Sequence, residues 1–191
     1  MRTGALALIC ALLPAAGAAA HRRDPAGRAQ ALVGQMTLDQ KISQVHGTGF
    51  ITGGGYTGFT PAIPSLGIPA FYLADGPNGV GNGATGVTAF PAAINNASTW
   101  DTRLLGRYGA VLGAEHAGKG NDVALAPTMN ILRVPGWGRA FETFSEDPEL
   151  AGDVGAAEIR GIQSQGVIAD AKHFAANNQE TDRLTVDARV G

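Results

Sequence analysis

The sequence predicts an α/β fold built on parallel strands, and three observations carry that prediction. Short apolar runs at 70–74, 123–126 and 167–174 lack the apolar-polar alternation of a sheet with one wet face. Stretches with helical spacing separate them, so consecutive strands must cross over rather than turn back. Polar residues gather just after the strands, at Asp75, in the loop 128–145, and at Lys172 and His173. A (β/α)8 barrel and an open α/β sheet both bind ligands at that edge. A complete barrel takes roughly 250 residues and the chain has 191, so a barrel here is an incomplete one.

The elements follow in order. Residues 1–20 begin with a positive Arg2, continue through an apolar run at 5–13 and end in Ala18, Ala19 and Ala20. That is the layout of a secretory signal peptide, too short to span a bilayer as a helix. The alternative, an apolar core helix, is opposed by Pro14, Gly17 and the charged stretch at 21–24. Export to the medium or periplasm is therefore expected, with no membrane association after cleavage. Residues 21–191 form the remaining domain.

Leu32, Met36, Leu38, Ile42 and Val45 recur at helical intervals across 26–46. Thr37 and Gln40 have capping-box spacing, which allows two helices meeting near Gln35. Residues 47–69, rich in Gly, Thr and Pro, read as loop. The strand at 70–74 is stopped by Asp75-Gly76-Pro77. Asp101 caps a helix through Leu104, Leu105, Tyr108, Val111, Leu112 and Glu115, bracketed at its end by Gly118 and Gly120. A strand at 123–126 is closed by Pro127. After a long loop, Ser145 caps a helix from about Glu146 to Gln165, with Glu146 and Asp147 in the first turn. Gly166 ends it, and a strand runs from Val167 to Phe174.

Composition narrows the function. The chain is 45% hydrophobic and 16% charged, with a formal net charge of −2 and no basic stripe, which argues against a nucleic-acid partner. Phosphate-binding glycine motifs do not follow a strand, a G-x-S-x-G elbow is absent, and so is a His-Glu-x-x-His zinc pattern. The single cysteine, Cys10, falls in the leader, so the cleaved chain has no disulfide or thiol chemistry.

Four residues stand out. Asp75 ends an apolar strand, where a carboxylate can accept from two vicinal hydroxyls; equally, it can simply start a turn. Lys172 and His173 are neighbours, and neighbours on a regular strand face opposite ways. Both reach one ligand only if the strand is irregular there; otherwise Lys172 pairs with Asp170 and His173 is a packed histidine. Arg139 lies between Trp137 and Phe141, where a guanidinium and a ring could bracket a sugar. It could instead pair with Glu142 or Glu146 to hold its loop.

The segments LADGPNGV at 73–80, APTMNILR at 126–133, GWGRAFETFSEDP at 136–148 and AKHFAANNQETDR at 171–183 together resemble glycoside hydrolase family 3. The resemblance spans nearly all of residues 35–187. It implies part of a (β/α)8 TIM-like barrel, and an enzyme that removes terminal β-D-glucosyl residues with retention, using no cofactor. A β-glucoside or oligosaccharide is the implied substrate. By the same resemblance Asp75, Arg139, Lys172 and His173 hold the sugar's hydroxyls, and the irregularity at Lys172-His173 becomes an expectation of the fold. Retention needs two carboxyl groups about 5–5.5 Å apart. The family's nucleophile is the Asp of a Ser-Asp-Trp-like motif, which does not occur in this chain, and its acid/base usually comes from a following domain. No catalytic carboxylate is assigned: Glu115, Glu142 and Glu180 lack the matching context.

Two departures bear on specificity. Many relatives carry an Arg six residues after the aspartate, where Gly81 stands, and Asp-Pro where this chain has Val134-Pro135. The rival reading is a non-catalytic sugar-binding or scaffold protein. An N-acetylhexosaminidase relative would continue its lysine-histidine pair with Pro-Gly-His, whereas Phe-Ala-Ala-Asn-Asn follows here.

Overall fold

The computed structural model describes residues 24–49 and 55–189. The expected leader at 1–20 lies outside the described residues. The chain divides into two compact units, residues 1–42 and 43–191. In the first, α1 (Pro25–Gln35) is capped by Asp24, whose carboxylate accepts from the Gly27 amide, with Pro25 opening the helix. The helix α2 spans Leu38–His46. Its capping box forms as the spacing required: the Thr37 amide donates to Gln40 Oε1 at 2.9 Å, and the Gln40 amide to Thr37 Oγ1 at 3.2 Å.

The second unit is built on a four-stranded sheet in the order β1 (Gly58–Thr60), β2 (Phe71–Asp75), β3 (Val123–Leu125), β4 (Ile168–Ala169). The last three are parallel, as expected, with Leu73 level with Val123 and Val123 level with Ile168. β1 corrects the loop expected over 47–69: it pairs antiparallel with β2, Gly58 opposite Leu73. Its sequence, Gly-Phe-Thr, is too short to show a period.

Two crossover helices cover the sheet. Asp101 caps α4 (Thr102–Gly118) by accepting from the Arg103 and Leu104 amides at 2.9 and 3.0 Å. A short α3 (Ala93–Ala97), not anticipated, precedes it. The helix expected to start at Ser145 starts later: α5 spans Pro148–Gln163 and its cap is Asp147. Proline at the first helical position fixes φ for helix and has no amide to satisfy, so the residue before it takes the cap. Ser145 instead accepts from the Asp147 amide at 3.0 Å.

α4 and α5 pack face to face. Glycines set their spacing: a Cβ on Gly109 would lie 2.2 Å from the Glu158 carbonyl oxygen, and one on Gly161 2.3 Å from that of Gly106. Leu105, Leu112, Phe144 and Ile162 are fully buried; each contributes about 1.5–3 kcal/mol by leaving water. Leu112 and Ile162 reach Ala124, Ala126 and Val167, joining helices to sheet. Glu158 is buried in this region as well, with Oε1 lacking a hydrogen-bond partner.

The strand expected over 167–174 is shorter. Ladder pairing covers only Ile168–Ala169, after which Lys172 makes an isolated bridge to Thr128, and the Lys172–His173 peptide bond is cis. The class is the expected one, α/β with a partial parallel sheet.

Candidate functional site

Parallel strands place their C-terminal ends on one edge, and the chain spends its polar side chains there. Asp75 is the last residue of β2. One carboxylate oxygen accepts from Lys172 Nζ at 2.9 Å, arriving from beyond β4, and the other from the Thr57 hydroxyl at 3.0 Å. Thr57 Oγ1 also accepts from the Asp75 amide at 3.0 Å and from Asn82 Nδ2 at 2.6 Å. The turn role holds too, since the Gly81 amide donates to the Asp75 carbonyl at 2.8 Å. Burial pushes the Asp75 carboxyl up, but the hydrogen bond and charge of Lys172, the Thr57 hydroxyl and the more distant Arg139 outweigh it. The carboxyl is held below its ordinary value. The Asp75 side chain keeps 44% of its exposure while that of Lys172 keeps 13%, so the carboxylate faces solvent and the lysine stem is packed.

Arg139 enters from the loop between β3 and α5, at the start of a 3-10 turn, Ala140–Glu142. Its guanidinium forks onto Glu142, Nε to Oε1 at 2.8 Å and Nη2 to Oε2 at 2.6 Å. The structural partner weighed from sequence is therefore Glu142, held in a bidentate fork. Nη1 donates to His173 Nε2 at 3.1 Å. The Glu142 hydrogen bond, helped by the charges of Glu142, Glu180 and Asp75, outweighs burial and raises the arginine's affinity for its proton. Burial, then the charges of Arg139 and Lys172, lower the pKa of His173, so that ring is held neutral.

The structure thus brings all four sequence-selected residues together, as a Lys172–Asp75 pair and an Arg139–His173 pair. Lys172 pairs with Asp75 rather than Asp170. A cavity of about 470 Å3 beside them is lined by Lys172, His173, Asn130, Met129, Arg133 and Phe174, but not by Asp75 or Arg139. A second, of about 610 Å3, opens along Val134, Gly136, Trp137 and Glu180.

Several participants escaped sequence reading. Of the two rings flanking Arg139, Trp137 is buried, 3% exposed, and is not free to cover a sugar, whereas Phe141 is 51% exposed; the Trp137 Nε1 donates to Glu180 Oε1 at 3.1 Å. Glu180 also pairs with Arg183 at 3.0 Å and lies 3.9 Å from Arg139, which ties the 177–183 segment to the arginine loop. Thr57, Asn82 and Asn130 carry no local pattern that marks them. Arg139 with Glu142 has the three-residue spacing of a helical-turn ion pair, and that signal was readable.

Chemically, the edge presents a half-open carboxylate acceptor, an ammonium, a guanidinium and a neutral imidazole. Such a set matches a ring of hydroxyl groups better than an anion, because the acceptors and donors interleave.

The profile of the glycosyl hydrolase family 3 N-terminal domain matches residues 57–186. Beta-glucosidase B of Emericella nidulans is 44% identical over 172 residues, 87% of this chain and 19% of its own length. The thermostable beta-glucosidase B of Acetivibrio thermocellus is 41% identical over 170 residues, 83% of this chain and 22% of its own. Among solved structures, a β-glucosidase from Streptomyces venezuelae in complex with D-glucose superposes with a TM-score of 0.79 at 47% identity, covering 84% of this chain and 20% of that one. β-Glucosidase 3B from Thermotoga neapolitana in complex with glucose gives 0.74 at 42% identity, covering 81% and 24%. The chain spans about a fifth of the length of these relatives.

Proposed function

The chain belongs to glycosyl hydrolase family 3, and from that premise we propose that it supplies part of the glucose-holding subsite of a secreted or periplasmic β-glucosidase. The observation that carries this reading is the Asp75 carboxylate: tied by Lys172 and Thr57, yet 44% exposed at the ligand-binding edge of the sheet. A carboxylate kept ionised and oriented accepts from adjacent hydroxyls of a sugar without first paying to be ordered. Lys172 and Arg139 supply donors to the same ring. In the parent, the sheet continues into a (β/α)8 barrel, and terminal β-D-glucosyl residues leave through a glycosyl-enzyme with retention.

The carboxylates that cut are assigned outside these 191 residues. Glu142 is spent on Arg139, Glu180 on Trp137 and Arg183, and Glu115 accepts from the amide and hydroxyl of Thr88. No cofactor enters the scheme.

Calorimetric titration of the chain with D-glucose tests the reading. Binding is expected, and Asp75→Ala should abolish it while circular dichroism stays unchanged. Release of nitrophenol from a p-nitrophenyl β-glucoside by the 191 residues alone would reveal a catalytic pair within them and overturn the assignment. N-terminal sequencing of protein recovered outside the cytoplasm, expected to begin near His21, tests export.

A further inference from the structure

The cavity beside Lys172 and His173 has one buried side chain whose only evident business is the histidine. Asn130, 6% exposed, lies on the loop after β3. Its Oδ1 accepts from the His173 backbone amide at 2.9 Å and lies 2.9 Å from ring Nδ1, while its Nδ2 donates to the His173 carbonyl at 3.2 Å. Its own carbonyl accepts from the Thr143 hydroxyl.

The orientation of this amide follows from the backbone. A peptide N–H can only donate and a peptide C=O can only accept, so the atom near the first must be Oδ1 and the atom near the second Nδ2. An oxygen 2.9 Å from Nδ1 then requires Nδ1 to carry the proton. The other side of the ring gives the same answer independently. Arg139 Nη1 has no lone pair to offer, so the Nε2 it faces at 3.1 Å must be an acceptor. Asn177 Nδ2 approaches Nδ1 at 3.4 Å, a longer contact from an amide that also faces Glu180. The charged groups acting on the ring are Arg139, Lys172 and Arg183, with Glu142 opposing them.

Resting on the glucose-subsite reading above, we propose that Asn130 is a positioning residue that locks His173 in its neutral Nδ1–H tautomer, leaving Nε2 as an acceptor for a sugar hydroxyl. In a site where Lys172 and Arg139 can only donate, this gives the histidine a role complementary to theirs. A hydroxyl donating to Nε2 replaces the guanidinium N–H there and frees that N–H for the sugar's oxygens.

Long-range 1H–15N correlation spectra of the chain with labelled histidine read the tautomer directly, with no ligand present. Wild type should show Nδ1 protonated and Nε2 bare through neutral pH, and Asn130→Ala, in which Arg139 still favours a bare Nε2 but nothing holds the Nδ1 proton, should give a mixture of tautomers. The conservative Asn130→Asp, which keeps shape and acceptors but adds charge, should move the ring's titration midpoint upward and is read if the alanine variant fails to fold. Glucose affinity should fall roughly tenfold in Asn130→Ala, the loss of about one well-placed hydrogen bond. A wild-type ring protonated on Nε2, or an unchanged tautomer in Asn130→Ala, overturns the proposal. A ring with the expected tautomer in a chain that ignores glucose upholds the lock and refutes the subsite reading instead.

Discussion

Glu158 offers the sharpest quantitative test of the packing between α4 and α5. Its side chain is 1% exposed, Oε1 has no hydrogen-bond partner, and burial alone pushes its carboxyl up from 4.5 to about 8. Its ionisable neighbour on α4 is Tyr108, whose hydroxyl donates to the Pro77 carbonyl at 2.8 Å; burial and the Glu158 charge raise that hydroxyl's pKa, so it stays protonated. A carboxyl that holds its proton in the folded chain but not in the unfolded one contributes stability that is full below 4.5. That stability drains away as pH rises toward the folded value. Each pH unit in the window removes about 1.4 kcal/mol, so about 5 kcal/mol is lost across it, comparable with the whole stability of a small domain. Glu158→Gln keeps the shape and deletes the titration. Urea unfolding at pH 5.5 and 7.5 should show wild type losing about 3 kcal/mol more than the variant between the two conditions. Every other ionisable group is common to the two chains, so its contribution cancels in the difference. Parallel pH dependences for wild type and Glu158→Gln would falsify the reasoning.

Other perturbations follow from the same geometry. Gly161→Ala should destabilise by about 1–3 kcal/mol in urea unfolding, because its Cβ would meet the Gly106 carbonyl oxygen at 2.3 Å. Gly152→Ala, on the same helix with nothing within 4 Å, should stabilise by about 0.5–1 kcal/mol. Arg139→Lys cannot fork onto Glu142, and glucose affinity should drop about tenfold by calorimetry. Because Lys172 and Thr57 hold the Asp75 carboxyl below its ordinary value, its share of glucose binding is present above the usual carboxylate range. Titrations at falling pH should show that share persisting through the ordinary carboxylate range and vanishing only below it.

The parts of the fold that were readable are those coded by neighbours in sequence. The Thr37–Gln40 box and the Asp101 cap are each fixed by residues two or three apart, and both form. Where two local signals competed, the stiffer one prevailed: Pro148 moved the start of α5 past Ser145 to Asp147. The short β1 and the early end of β4 depend on partners far along the chain, which no window of sequence contains. The site divides in the same way. Asp75, Arg139, Lys172 and His173 sit in recognisable motifs, and Glu142 was visible through its spacing from Arg139. Asn130 and Thr57 act across 43 and 18 residues respectively, and an isolated Asn or Thr carries no mark of such a task.

The hairpin-like pairing of β1 with β2 has a consequence for how this chain tolerates change. Thr57 grips Asp75 only because Gly58 stands opposite Leu73. A slip of one residue between those strands would turn the threonine hydroxyl to the far face of the sheet. The connector at 61–70 therefore works as a length gauge. Inserting or deleting a single residue there would slacken the hold on the carboxylate while leaving every ligand-facing side chain in the sequence.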